Sequence, residues 1–217
     1  MTKKKPNVLI TGASSGIGEA LARHYAITGA GTLFISGRNR ERLETVKTAC
    51  ERYNVKVYAE VMDVTDRQNT AAWIKKCEEI APLNIVYANA GVATLEETPE
   101  NIYNTFNTNV IGVLNTLIPA VEIFKNRRDK HKTLVITSSI AGYHGLPSCP
   151  SYSASKACVK AYGEALRSEL RQFSIQVSVI CPGFVKSRIT DQNTCPMPFF
   201  MSAEKAVSYT HLTLPTT

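Results

Sequence analysis

Tyr152 and Lys156 stand four residues apart in the segment YSASK, and on a helix that spacing puts both on one face, about one turn apart. A phenol ionises near pH ~10, too high for proton transfer at neutral pH, but a neighbouring ammonium favours the phenolate. Lowering the phenol by two or three units requires roughly 3–4 kcal/mol of preferential phenolate stabilisation. Such a pair arises by chance in many chains, so it needs a partner. Ser139 lies 13 residues upstream of Tyr152, closing an apolar run at its C-terminal end, where open α/β sheets bind ligands.

A second constellation opens the chain. The run NVLIT at 7–11 leads into TGASSGIG at 11–18 and then into a helical pattern. Gly12 permits the tight turn out of a strand, Gly16 a close backbone approach to a pyrophosphate, and Gly18 close helix–sheet packing. Ser14, Ser15 and Ile17 complete the turn, and the following helix N-terminus offers unpaired N–H groups to phosphates. An ordinary structural turn is the alternative, and the spacing G-x-x-x-G-x-G is longer than the commoner form. The second strand then ends Ser36-Gly37-Arg38, without the acid that dinucleotide sites usually set against a ribose 2′-OH. Arg38 suits a 2′-phosphate instead; otherwise it is a solvent-facing residue at a helix start.

These groups must be positioned by alternating elements. Strand patterns fall at 7–11, 32–36, 55–60, 84–88, 132–137 and 175–180, and helical patterns at about 16–29, 40–53, 67–80, 99–126 and 150–173. The strands are apolar on both faces, as helices on each side require. Repeated βα units imply right-handed parallel crossovers. The expected fold is α/β, a Rossmann-type doubly wound parallel sheet of six strands. It forms a single domain over 1–207.

Composition agrees. With 217 residues, 44% hydrophobic and 20% charged, the chain is of the globular class and long enough to bury about 70% of its unfolded surface. The 25 basic and 18 acidic residues give +7, a balance that allows a polyanionic partner. The dense patches, Lys3-Lys4-Lys5 and 125–132, carry no nucleic-acid motif, and the second reads as a solvated loop. Six cysteines (Cys50, Cys77, Cys149, Cys158, Cys181, Cys195) lack metal-site spacing and read as buried reduced thiols. No metal is expected, no apolar run is long enough to span a membrane, and a cytoplasmic location follows as the default.

Together these motifs resemble the short-chain dehydrogenase/reductase family, in its compact single-domain branch. The resemblance rests on TGASSGIG, Asp63-Val64, Asn89-Ala90-Gly91, Asn109-Val110-Ile111-Gly112, Ser138-Ser139, YSASK and Pro182-Gly183, which appear in family order. It implies an oxidoreductase that moves a hydride between NADP(H) and a carbonyl or secondary alcohol. NADP(H) is preferred, with NAD(H) left open. Tyr152 would be the general acid of reduction and the base of the reverse reaction. Lys156 would lower its pKa and hold the nicotinamide ribose, Ser139 would bond the substrate oxygen, and Asn109 would fix a water linking Lys156 to solvent. Asn109 also sits in an apolar helical pattern, where its side chain can bond backbone freed at a kink. Asp63 would accept from adenine and Val64 donate to it. Asn89, Ala90 and Gly91 would flank the adenosine ribose, although they also read as a strand-end turn. Pro182 and Gly183 lead to Val185 at the carboxamide, and Ser187 stands where the family usually has Thr.

Substrate identity is left to 188–201, whose Met197, Phe199, Phe200 and Met201 either wall a lipophilic pocket or pack the segment onto the core. Tyr143 and His144 are further candidates for the cleft, His144 being otherwise a loop histidine. A helix starting at 202 is expected to stop after about two turns. The tail 208–217 reads as non-native, with the family's last helix and edge strand missing and the sixth strand left as an open edge. The parent protein is expected to pair as a homodimer or homotetramer through 99–126 and 150–173. Two other functions compete: a cofactor-binding sensor or scaffold without turnover, disfavoured by the full set of site residues, and a lyase or epimerase of the longer branch, disfavoured by the glycine spacing and chain length.

Overall fold

The computed structural model describes residues 5–94, 96–129, 131–193 and 196–213, with 192 and 209–213 by backbone only. Six strands, β1 (Asn7–Thr11), β2 (Thr32–Gly37), β3 (Lys56–Val61), β4 (Ile85–Ala88), β5 (Lys132–Thr137) and β6 (Ile175–Ile180), form one parallel sheet in the order β3-β2-β1-β4-β5-β6. The doubly wound sheet expected from the alternating pattern is the observed fold. The order reverses between β1 and β4, and a crevice opens there at the strand carboxyl ends.

The period of two along each strand divides the core between the faces. Val8, Ile10, Leu33, Ile35 and Val135 point to one side, against α1 (Gly16–Thr28), α2 (Arg40–Glu51) and α7 (Ala203–Thr213). Leu9, Phe34, Val86, Leu134 and Ile136 point to the other, against α3 (Arg67–Ile80), α5 (Gly112–Lys125) and α6 (Pro150–Leu170). Local sequence sets the helix starts. Asn39, Asp66 and Thr98 accept from backbone N–H groups in the first turns of α2, α3 and α4 (Pro99–Phe106), satisfying donors that a helix cannot pair internally.

Four expectations are corrected. The helix expected over 99–126 contains a π-helical turn, Asn107–Ile111, between α4 and α5. The apolar period runs through it, so the extra residue leaves no trace in the hydrophobic pattern. The helix beginning near 202 does not stop after two turns but runs Ala203–Thr213. Its Ala203, Ala206 and Val207 are buried in the core beside α1, and no Gly or Pro interrupts it before Pro215, so lack of charge did not end it. The basic run at 125–132 is not simply solvated. Lys132 is 2% exposed and donates to the Phe124 and Arg127 carbonyls at 2.9 and 2.8 Å, capping α5, while Arg127 bridges Glu78 and Asp129. Finally, Cys50 and Cys77 are buried free thiols, but Cys149 and Cys181 are half-buried and Cys158 is exposed. Lys3, Lys4, Lys130, Cys195 and positions 214–217 of the tail lie outside the described residues.

Candidate active site

A cleft of about 450 Å³ lies over the carboxyl ends of the strands at the β1/β4 reversal. The glycine turn forms its floor. Gly12 has φ +68°, and a Cβ there would stand 2.7 Å from the Ala90 Cα, so both its conformation and its neighbour exclude a side chain. A Cβ on Gly18 would run into the Gly12 carbonyl oxygen and the Asn89 amide, which is the close helix–strand packing read from its position. Thr11 Oγ1 accepts from the Asn89 and Ala90 N–H groups and donates to the Tyr87 carbonyl. Asn89 returns the bond through Nδ2 to the Thr11 carbonyl at 3.0 Å and accepts from Thr137 at 3.1 Å. The ends of β1, β4 and β5 are thereby tied together.

At the opposite wall, α6 presents Tyr152 and Lys156 to the cleft, and the end of β5 presents Ser139. Lys156 is 3% exposed, and its ammonium donates to the Thr137 carbonyl at 2.9 Å while lying 5.7 Å from the centroid of the Tyr152 ring. Burial lowers its pKa from 10.5 to about 8. Tyr152 shifts the other way. Burial raises its phenol above the ordinary value, a hydrogen bond with Ser139 opposes that, and the nearby Cys149 adds to the rise. The lowering influence thus comes from Ser139 and not, as the spacing led us to expect, from Lys156, whose ammonium is turned onto a main-chain carbonyl. Ser139 begins a short 3-10 turn, where its Oγ accepts from the Ala141 N–H at 3.1 Å.

Asn109 sits in the π-helical turn and is fully buried. Its side chain bonds no freed helix backbone. Oδ1 accepts from the Val92 N–H at 2.8 Å, and Nδ2 donates to the Val92 carbonyl at 2.9 Å and to Ser155 Oγ at 3.0 Å. Ser155 Oγ in turn donates to the Tyr152 carbonyl at 2.7 Å. Asn109 therefore lies behind the cleft wall, holding the loop after β4 to the helix that carries Tyr152.

The family model described as short chain dehydrogenase matches residues 6–196. The chain belongs to the short-chain dehydrogenase family. Over 204 residues it is 38% identical to an uncharacterised oxidoreductase of Myxococcus xanthus, covering 92% of this chain and 79% of that one. A short-chain dehydrogenase from Sphingobium yanoikuyae, solved in complex with NADPH, superposes with a TM-score of 0.86 at 26% identity, over 95% of this chain and 83% of that one. One from Mycobacterium paratuberculosis, bound to NAD, superposes with a TM-score of 0.83 at 25% identity, over 97% and 92%. Like its relatives in this family, the chain is an oxidoreductase with a nucleotide-binding fold.

Against the short-chain dehydrogenase frame, the structure gathers nearly all of the residues singled out in the sequence. Gly12, Ser14, Ser15, Gly16, Ile17 and Gly18 line the cleft with Arg38, Asp63 and Val64; so do Asn89, Ala90, Gly91, Ser139, Tyr152 and Lys156, and, from beyond β6, Pro182, Gly183, Val185 and Ser187. Asn109 alone of that set does not. Arg38 and Asp63 were assigned to different parts of a nucleotide, yet they also pair with each other, Nη1 to Oδ2 at 3.5 Å. Ser187 and Val185 are fixed by Thr190, whose Oγ1 accepts from the Ser187 N–H and donates to the Val185 carbonyl, both at 2.9 Å.

Other expectations fail. Tyr143 and His144 line a separate cavity of about 430 Å³ beside the start of α6, together with Leu146, Pro147 and Ala154. The chain turns away from the cleft through the 3-10 turn after Ser139. Phe199 is 93% exposed with φ +57°, and Phe200 is 47% exposed, so neither walls the cleft nor packs onto the core; Met201 alone reaches the core, bridged to Val185. Sequence reasoning missed Arg42, which lines the cleft one helical turn beyond Arg38. Its only signal was a third arginine, after Arg38 and Arg40, at the start of α2.

Proposed function

We propose that the chain catalyses the reversible reduction of a carbonyl to a secondary alcohol with NADP(H). The observation that carries this reading is the convergence of Tyr152, Ser139 and Lys156 on one wall of the cleft that begins at the glycine turn. The residues fit a dinucleotide: the turn leaves no room for side chains at Gly12 and Gly18, and Arg38 and Arg42 both line the cleft beside it. The bound nicotinamide supplies or takes the hydride. Tyr152 passes its phenolic proton to the carbonyl oxygen in reduction and receives one in oxidation. Ser139 bonds the same oxygen and the phenol, fixing the distance between them. Lys156 would hold the nicotinamide ribose hydroxyls, and there its charge would favour the phenolate. The outer surface of α4, the π-helical turn and α5 leaves Tyr103, Ile111 and Ile118 exposed, which supports self-association through this stretch and α6, measurable by sedimentation.

A second reading, cofactor binding without turnover, is favoured by two observations: burial holds the Tyr152 phenol up, and the Lys156 ammonium is engaged elsewhere. A panel of aldehydes and ketones mixed with the purified chain and NADPH or NADH decides between them. Oxidation of NADPH by at least one carbonyl, absent in Tyr152→Phe, is expected. Tight NADPH binding with no turnover on any member would replace the first reading with the second.

A further inference from the structure

The first turn of α6 carries Tyr152 and is not capped from within its own sequence. Cys149, the residue before the helix, makes no side-chain cap bond, and Pro150 at the first helical position has no N–H to offer. The next donor, the Ser151 N–H, is met from another segment. Glu97 Oε1, in the stretch between β4 and α4, accepts it at 3.1 Å and accepts the Ser151 hydroxyl at 2.7 Å. A carboxylate suits that place twice over: hydrogen bonds to a charged acceptor are strong, and a helix N-terminus favours negative charge. Ser151 is 6% exposed, so water does not readily stand in for the carboxylate.

Glu97 is itself held. Thr98 beside it caps α4 by accepting from the Asn101 N–H at 3.2 Å, and Asn101 Nδ2 donates back to the Glu96 carbonyl at 3.0 Å. On α6 the serines at 151, 153 and 155 flank Tyr152, and all three are buried. Each ties the turn to a different segment: Ser151 to Glu97, Ser153 to the Leu146 N–H at 3.0 Å, and Ser155 to Asn109. Asn109 acts on the carbonyl side of Tyr152 through Ser155, and Glu97 acts on its amino side through the preceding residue. Without the carboxylate, the Ser151 N–H and hydroxyl lose their acceptor in a buried place, and the turn must move to find another. A displacement of about 1 Å at a reacting group costs about a hundredfold in rate.

We propose that Glu97 is a positioning residue for Tyr152, capping α6 from the segment between β4 and α4 so that the phenol stays beside Ser139. The proposal rests on the reading that Tyr152 passes the proton of carbonyl reduction. Three measurements compare the unmodified chain with Glu97→Ala and Glu97→Gln: kinetics with NADPH and the carbonyl turned over best, NADPH calorimetry, and amide hydrogen exchange at Ser151 by NMR. Glu97→Ala is expected to lower kcat at least about tenfold while NADPH affinity stays within about threefold. Exchange at Ser151 should quicken at least about tenfold. Glu97→Gln keeps an acceptor oxygen in the same place and should return kcat to within about threefold of the unmodified chain. Unchanged kcat in Glu97→Ala overturns the proposal. So does a kcat that Glu97→Gln fails to restore, or a loss of NADPH affinity equal to the loss of kcat, because the carboxylate then serves through its charge or serves the whole cleft. If the unmodified chain turns over no carbonyl, the reduction reading fails by itself, and Ser151 exchange decides the cap: faster exchange in Glu97→Ala supports it, and unchanged exchange overturns it.

Discussion

The Lys156 ammonium lies 5.7 Å from the centroid of the Tyr152 ring yet gives its hydrogen bond to the Thr137 carbonyl. The two residues share a helix face, as their spacing requires, but in this arrangement the charge is aimed at main chain. The phenol is held up by burial and eased down by Ser139. Helix geometry alone therefore does not set its acidity; in this arrangement the group that lowers it is Ser139.

Tyr152→Phe keeps the ring and loses only the hydroxyl. Turnover in the carbonyl assay should fall by about 10²–10⁴, the usual contribution of a positioned acid/base. NADPH affinity by calorimetry should stay within about threefold. Retained turnover would remove Tyr152 from the chemistry.

Burial also makes Lys156 a pH-dependent contributor to stability. Its folded-state pKa is about 8, below the ordinary 10.5. Between those values the unfolded chain binds more protons, so stability from this group rises with pH across the window and is lost as pH falls through about 8. At 3% exposure the whole effect amounts to roughly 3 kcal/mol. Urea unfolding of the unmodified chain and Lys156→Met at a series of pH values isolates it. The stability difference should move in favour of the unmodified chain between pH 8 and 10.5, and a flat difference would contradict the burial argument.

Asn109→Ala removes three hydrogen bonds and leaves the half-buried Val92 N–H and carbonyl without the amide they pair with. A fully buried unsatisfied group costs about 1–3 kcal/mol; water reaching the half-buried Val92 offsets part of that, so a loss of roughly 1–3 kcal/mol is expected in denaturant unfolding. Because Ser155 links Asn109 to the Tyr152 carbonyl, kcat should fall more than NADPH affinity. Equal stability in the variant would mean that the loop after β4 is held by other contacts.

How far these features were legible follows from which interactions are local. The strands are short, β-branched and apolar on both faces, so β1, β5 and β6 lie where the pattern put them. The catalytic and glycine motifs are short-range spacings, and the fold brings them together through the sheet order alone. The π-helical turn was hidden because Phe106, Val110 and Val113 keep an α-helical rhythm through it. The roles of Asn109 and Arg42 depend on partners far along the chain or on burial, neither of which a single position declares. Phe199 and Phe200 show the converse: an apolar cluster promises packing, but the backbone turn at Phe199 leaves both in solvent.

Gly12 and Gly145 differ in what an added side chain would meet. Gly12 has φ +68°, and a Cβ there would meet the Ala90 Cα at 2.7 Å, whereas a Cβ on Gly145 would meet nothing within 4 Å. A left-handed conformation costs an alanine about 1–2 kcal/mol, and contact with rigid backbone adds to that. Gly12→Ala should therefore lower stability by at least roughly 2 kcal/mol and weaken NADPH and NADH binding together, because the displaced Ala90 shares the Thr11 hydroxyl with Asn89. Gly145→Ala should leave both unchanged. Urea midpoints and calorimetry on the two variants check this, and a Gly12→Ala protein that binds either cofactor normally would show that the turn yields without disturbing the cleft floor.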